Sequence, residues 1–185
     1  MFEAGRAAFS EGELDAGQEA AQNALAMYEQ IYGPIHSFAA TKSHSLGIMY
    51  QQLFSKLHRK VNYHDSVTEL LAEMPEERRA ENLVQLKENL LEDVEIVRAQ
   101  ADIYLELSIR TIRQAVVISE RCSGLDDSET VEYYTDLALV EQMGNNPTTA
   151  LRLIKYAIEL YVTAYGPDHP VILRLLVRFF SFRSI

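Results

Sequence analysis

Tryptophan is absent from this sequence of 185 residues, and cysteine occurs only once, at Cys122. A single cysteine cannot build an internal disulfide framework, so the chain fits a reducing compartment. Basic residues are also few: 17 Lys and Arg stand against 27 Asp and Glu, which gives a net charge of −10. This acidity disfavours nucleic-acid binding through many phosphates, because that mode requires clustered positive charge.

Long apolar segments are missing as well. No run approaches the roughly 18 residues that a membrane-spanning helix needs. The first residues show neither the basic start nor the apolar stretch of a signal peptide. The length suits one domain. Together with the missing membrane and signal segments, it leads us to expect a single soluble, intracellular domain.

Helix-breaking residues are scarce, with 8 Gly and 5 Pro, and three of the breaks are regularly placed. They are Gly33-Pro34, Gly124 and Gly166-Pro167, and each follows a long segment with apolar residues at helical spacing. That arrangement is typical of amphipathic helices that end at glycine. Because strand-like alternation appears nowhere over a useful length, the sequence predicts an all-α fold.

The sequence also repeats itself. Tyr-Gly-Pro-Ile-His at 32–36 returns as Tyr-Gly-Pro-Asp-His at 165–169, with a degenerate copy at 122–127. An alanine stands nine residues before each turn glycine, at Ala24, Ala115 and Ala157. The last two alanines are 42 residues apart and the first two 91, so 49 additional residues interrupt the period once. A fixed period of this kind indicates stacked helical units.

Small residues at the expected helix crossings, together with Leu46-Gly47-Ile48-Met49-Tyr50, resemble the tetratricopeptide repeat (TPR). The resemblance implies a right-handed α-solenoid built from pairs of helices A and B. An ordinary helical bundle with chance similarity is the alternative. The register divides the chain into repeat 1 with a truncated helix A (1–36), repeat 2 (37–127) with a helical hairpin inserted at about 51–100, repeat 3 (128–169) and a partial repeat 4 (170–185). The insertion is expected to be an elongated hairpin, or lengthened helices A and B, with its tip near Asn62–Pro75.

In such a solenoid, the helix A residues that do not enter the core line a concave groove. A mixed polar and apolar lining suits an extended or helical peptide. The alternative is a groove filled by the inserted hairpin or by the C-terminal helix. In the register above, the lining residues are His44, Ile48 and Gln51 in one repeat, and Thr135, Leu139 and Gln142 in the next.

A more specific resemblance comes from longer segments. Gly5-Arg6, Gly12-Glu13-Leu14-Asp15 and the run from Ala24 to His36 resemble the C-terminal TPR region of the clustered mitochondria protein family. The segments 115–130 and 150–170 are similar to further repeats of that region. This chain then resembles a truncated form or fragment, since full-length members carry other domains ahead of the repeats.

The resemblance implies a cytoplasmic, mRNA-associated protein that is required for normal mitochondrial distribution and is linked to translation initiation factor three. A kinesin-light-chain-like TPR adaptor that binds cargo peptides is the alternative, because those proteins share the 42-residue period. Little direct nucleic-acid binding is expected from this chain. Lys56, Arg59 and Lys60 form the basic cluster of the insertion; a solvated helix face explains them more simply than an RNA contact.

Catalytic motifs are absent: there is no Gly-rich phosphate loop, no Gly-x-Ser-x-Gly elbow and no His-Glu-x-x-His. We therefore expect no enzyme activity, no cofactor and no metal site. Cys122 is interpreted as a packed side chain, and His36 and His169 as turn and capping residues. The apolar segment 171–182 is a candidate for self-association, because an unpaired helix exposes a stripe.

Overall fold

The computed structural model describes residues 2–11, 14–76, 78 and 93–183, and these residues are helical with short connections. Within them lies no helix long and apolar enough to cross a membrane. The chain divides into two compact units, Met1–Tyr50 with Leu105–Ile185, and Gln51–Tyr104. The helices are α1 (Phe2–Glu11), α2 (Leu14–Tyr32), α3 (Ser37–Glu73), α4 (Val94–Cys122), α5 (Ser128–Met143), α6 (Pro147–Tyr165) and α7 (Pro170–Arg183).

Glycine ends or follows three of these helices in a left-handed conformation. Gly33 has φ +88°, Gly124 +99° and Gly166 +84°, values that an L side chain rarely adopts. The backbone N–H of Gly33 donates to the carbonyl of Glu29, and that of Gly166 to Val162. These bonds close the last turn of each helix, so the chain can reverse and start the next helix within a few residues.

Small residues allow close helix crossings in the first unit. Ala24, Ala115 and Ala157, the three alanines of the 42-residue register, are all buried. At Gly47 a Cβ would collide with Ile112, because α3 and α4 touch there. The hydroxyl of Ser108 donates to the Gly47 carbonyl at 2.8 Å across the same contact. Glycine is therefore required at this crossing.

The core of the first unit continues from helix to helix. Ile112 and Val116 of α4 pack with Leu137 and Val140 of α5. Beyond them, side chains of α5, α6 and α7 form a second cluster: Val131, Ala157, Tyr161, Ile172 and Leu175. Each helix contacts the helices before and after it, as expected for a stacked array.

One buried carboxylate links α4, α5 and the loop that follows α5. Glu141 is only 4% exposed, and its oxygens accept hydrogen bonds from Arg113 at 2.6 Å and from Asn146 at 3.0 Å. A buried charge is tolerated only when it is paired and hydrogen-bonded. Both conditions hold here.

The second unit contains the continuation of α3 and the start of α4. Val61, Leu71 and Ala101 are buried in it, and Arg98 binds both carboxylate oxygens of Asp65, at 3.2 and 3.0 Å. This hydrogen bonding lowers the pKa of Asp65. The predicted insertion at about 51–100 falls on this unit, and its residues 77 and 79–92 lie outside the described part of the chain. The repeat boundaries stay a prediction.

The tip of the insertion begins later than the expected position at Asn62–Pro75. Helix α3 continues without a break to Glu73. The first residue that disfavours helix after Gly47 is Pro75, whose ring restricts the residue before it. The polar residues from Asn62 onward are compatible with an exposed helix, so they do not end it.

Candidate binding groove

Three of the helices assigned as helix A, namely α3, α5 and α7, carry the candidate groove. His44 of α3 is half-buried, and its Nε2 lies 2.9 Å from Oδ2 of Asp136 on α5. The His44 ring also stacks on Tyr133, with centroids 4.3 Å apart. Of the six predicted groove residues, His44 thus makes the direct polar contact between α3 and α5.

The hydroxyl of Tyr133 has polar neighbours on both α3 and α5. It lies 3.4 Å from Oγ1 of Thr41 and 3.3 Å from a carboxylate oxygen of Glu129. Burial is the main cause that raises the pKa of Tyr133 to about 12. The phenol is therefore neutral near pH 7 and acts as a hydrogen-bond donor and a stacking surface.

The other predicted residues are placed differently. Thr135 is buried, and its hydroxyl donates to the carbonyl of Val131 in its own helix. Ile48 and Leu139 are half-buried and pack against core clusters, whereas Oε1 of Gln142 is buried without a hydrogen-bond partner among the described residues. Gln51 belongs to the second unit. Packing thus engages several of these side chains.

A cavity lies between α5 and α7. Its volume is about 170 Å³, and Tyr161 of α6 also lines it. Glu132, Thr135 and Asp136 line it from α5, and Arg174 and Leu175 from α7. Thr135 is therefore the predicted residue that the structure places at this cavity.

Opposite charges line this cavity from its two helices. Within the described part of the chain, neither Glu132 nor Arg174 forms an ion pair, whereas Asp136 is bound to His44. The charges of Glu132 and Arg174 both act on the phenol of Tyr161. Burial raises the pKa of Tyr161, the negative charge of Glu132 raises it further, and the positive charge of Arg174 opposes the rise. The cavity thus has an acidic and a basic side.

The sequence contained a signal for these residues that its interpretation above did not use. Glu132 and Arg174 are one 42-residue period apart, and Thr41 stands at the same register position in α3. A comparison of the charges at equivalent helix A positions would have singled out these three residues. Choosing the helix A positions outside the expected core instead selected Ile48 and Leu139, which pack partly against the core.

An exposed apolar stripe lies on α7, in the segment 171–182 predicted to self-associate. Leu173, Val177 and Phe180 are 69%, 63% and 58% exposed, whereas Ile172 and Leu175 on the other face are buried. The spacing of three and four residues places the exposed side chains on one face of the helix. They form a continuous apolar surface.

The interpretation of Cys122 as a packed side chain is wrong. Cys122 is exposed, as are Ile31 and Ala164, which occupy the same register position in the other repeats. This position faces outward on each second helix, so even the apolar isoleucine is left in solvent. Among the described residues, no group of His, Cys, Asp and Glu has the arrangement of a metal site.

Taken together, the helix pairs, the alanine and glycine crossings and the continuous core define an all-α TPR solenoid, a class of protein-interaction module. A tetratricopeptide repeat family model matches residues 130–171. That segment starts in α5, contains α6 and ends in α7, and it is as long as the predicted period. The predicted fold class is confirmed.

Several curated relatives of this chain share one name. Clustered mitochondria protein homologues of Aspergillus oryzae and Aspergillus niger are each 27% identical to it over 169 residues, which cover 91% of this chain and 10% of the relative. The homologue of Coccidioides immitis is 27% identical over an equal length and is covered to 9%. The predicted resemblance to this family is confirmed, and the chain spans about a tenth of these relatives.

A solved structure is also similar. The TPR-like repeats of a kinesin light chain from Podosopora anserina align with 99% of this chain and 85% of that one, at 16% identity and a TM-score of 0.41.

Proposed function

We propose that this chain is the peptide-binding TPR module of a clustered-mitochondria-type protein, and that it binds extended or helical segments of partner proteins in its concave groove. The observation that carries the proposal is the cavity between α5 and α7, which consecutive helices A form. The proposed groove extends over the six predicted positions His44, Ile48, Gln51, Thr135, Leu139 and Gln142.

The proposed setting is a cytoplasmic, mRNA-associated protein that is required for proper mitochondrial distribution and is linked to translation initiation factor three. The names of the fungal relatives support the mitochondrial part of this proposal. The link to the initiation factor rests on the sequence resemblance. In this setting the chain supplies contacts with proteins, and other regions supply most of the contacts with RNA.

Site-specific photocrosslinking tests the groove and the partner together. A photoreactive phenylalanine derivative in place of Ser128, which lies at the cavity, should crosslink to subunits of translation initiation factor three in a fungal extract. The matched control carries the same group in place of Glu159, an exposed residue of α6. Equal labelling from both positions, or no initiation factor subunit from Ser128, would contradict the proposal.

Direct RNA binding by this chain should be weak. Lys56, Arg59 and Lys60 are exposed on α3, but a cluster of three releases few counterions against a net charge of −10. We expect dissociation constants well above about 1 µM for unstructured RNA at physiological salt. A sub-micromolar constant would contradict this division of roles.

The stripe on α7 supports a second proposal, self-association through 171–182. Three exposed apolar side chains on one face gain free energy when a second copy covers them. The wild-type chain should form dimers or larger species at roughly tens of micromolar in analytical ultracentrifugation. Leu173→Glu should restore the monomer, whereas Ile103→Glu, at another solvent-exposed position (56% exposed) in the second unit, should not. A strictly monomeric wild-type chain would refute the proposal.

A further inference from the structure

We propose that the cavity between α5 and α7 selects partner segments by the order of their charges, a basic side chain beside α5 and an acidic side chain beside α7. The inference rests on the proposed peptide-binding function and specifies its ligand as a dipolar peptide segment. It is carried by the opposite charges on the two sides of one cavity.

The register shows how these charges are ordered. Thr41 on α3, Glu132 on α5 and Arg174 on α7 occupy equivalent positions of successive helices A. The same position is thus neutral, negative and then positive across three helices. Equivalent helix A positions face the same side of a solenoid, so a segment that crosses α5 and α7 meets the two charges in a fixed sequence.

Both charges are available to a ligand. Glu132 and Arg174 both line the cavity, and neither forms an ion pair in the described part of the chain. The carboxylate of Asp136 is less available, because it already binds His44 at 2.9 Å. Glu132 is therefore the group that a lysine or arginine would pair with, and Arg174 can bind a carboxylate in a bidentate manner.

The two charges also determine how far apart the partner's charges should be. Packed helices have axes about 8–10 Å apart, and an extended chain advances about 3.3 Å per residue. A basic and an acidic residue about three positions apart would thus reach both sides. For a given direction of the bound chain, a segment with the reverse order would place like charges together at each side, and their repulsion would weaken its binding.

Selection from a phage-displayed library of random twelve-residue peptides tests this order. The wild-type chain should enrich peptides with a basic and an acidic residue about three positions apart, in one preferred order. The exchange variant Glu132→Arg with Arg174→Glu should enrich the opposite order. The matched control, Glu159→Arg with Arg152→Glu, makes the same exchange on exposed residues of α6 and should enrich the wild-type peptides.

A synthetic copy of the most enriched peptide gives the quantitative measurement. Exchanging its two charges should weaken binding to the wild-type chain at least about tenfold and strengthen binding to the exchange variant by a similar factor. Circular dichroism of each variant confirms that it is folded. Enriched peptides without a charge order, or peptides shared by the wild type and the exchange variant, would overturn the inference alone. A folded wild-type chain that enriches no peptide would refute the peptide-binding function as well.

Discussion

The turns between successive repeats use two different chemistries for the same geometry. At the outer turns, α2–α3 and α6–α7, two tyrosines and a histidine follow one another at four-residue spacing and their rings are in contact. The ring centroids are 5.1 Å apart for the tilted pairs Tyr32–His36 and Tyr165–His169. At the middle turn, α4–α5, the equivalent positions hold two serines and an aspartate. The outer sets are Tyr28, Tyr32, His36 and Tyr161, Tyr165, His169; the middle set is Ser119, Ser123, Asp127.

The third member of each set caps the following helix. Nδ1 of His36 accepts from the N–H of Phe38 at 3.2 Å, and Nδ1 of His169 from Val171 at 3.3 Å. The carboxylate of Asp127 accepts two such bonds, from Glu129 at 3.0 Å and Thr130 at 3.2 Å. The outer turns therefore combine a weaker cap with aromatic contact, and the middle turn relies on hydrogen bonds.

Breaking the buried hydrogen bond of the middle turn should have the largest effect. The hydroxyls of Ser119 and Thr130 are 2.7 Å apart, and both residues are buried. Thr130→Val keeps the shape but leaves the Ser119 hydroxyl without this partner, so unfolding should become easier by about 1–3 kcal/mol. Urea denaturation measures this change. Thr163→Val, which removes an exposed hydroxyl bonded within its own helix, should change stability by less than about 0.5 kcal/mol.

Exchanging the capping residues should give unequal results. Asp127→His should cost about 1 kcal/mol, because one acceptor replaces two bonds and Ser119 and Ser123 offer no ring for the imidazole to stack on. His169→Asp should stay within about 0.5 kcal/mol of the wild type, since the stronger cap offsets the lost contact with Tyr161 and Tyr165. Thermal unfolding of both variants checks the prediction. Equal losses at the two turns would show that the caps do not depend on their aromatic neighbours.

The smallest effect is expected for a single exposed hydroxyl. Tyr165 donates to the carbonyl of Asp126 at 3.2 Å and thereby connects the outer turn to the middle one. Tyr165→Phe should lower stability by about 0.5 kcal/mol, measurable by urea denaturation. Tyr32→Phe at the equivalent outer position is the control and should be neutral. If both variants lose the same stability, the hydroxyl bond does not distinguish them.

The sequence predicts much of the fold because its signals are local. The turn glycines precede helix starts, the alanines at 24, 115 and 157 are buried, and His36 and His169 contribute to capping and turn packing as interpreted. Glycine conformation and small-residue packing depend on the residue itself. The 42-residue period of these residues therefore predicts where each helix pair begins and ends.

The contacts around the candidate site could not be predicted from the local sequence, because they depend on neighbouring helices. Nothing in the local pattern around Asp136 indicates that His44, 92 residues earlier, binds its carboxylate. The exposure of Cys122 likewise depends on which face of α4 the next helices cover. The cavity is lined by residues of α5, α6 and α7, which are far apart in the sequence. Only a comparison of equivalent helix A positions in the repeats could therefore have indicated its charged residues.

The buried Glu141 has a consequence for how the array loses its structure. Its carboxylate joins Arg113 of one repeat to the helix and loop of the next, and removing either neighbour would leave a charge in the interior without its partners. Separate fraying of α4 or of the α5–α6 pair is therefore costly. We therefore expect these three helices to open together rather than one by one.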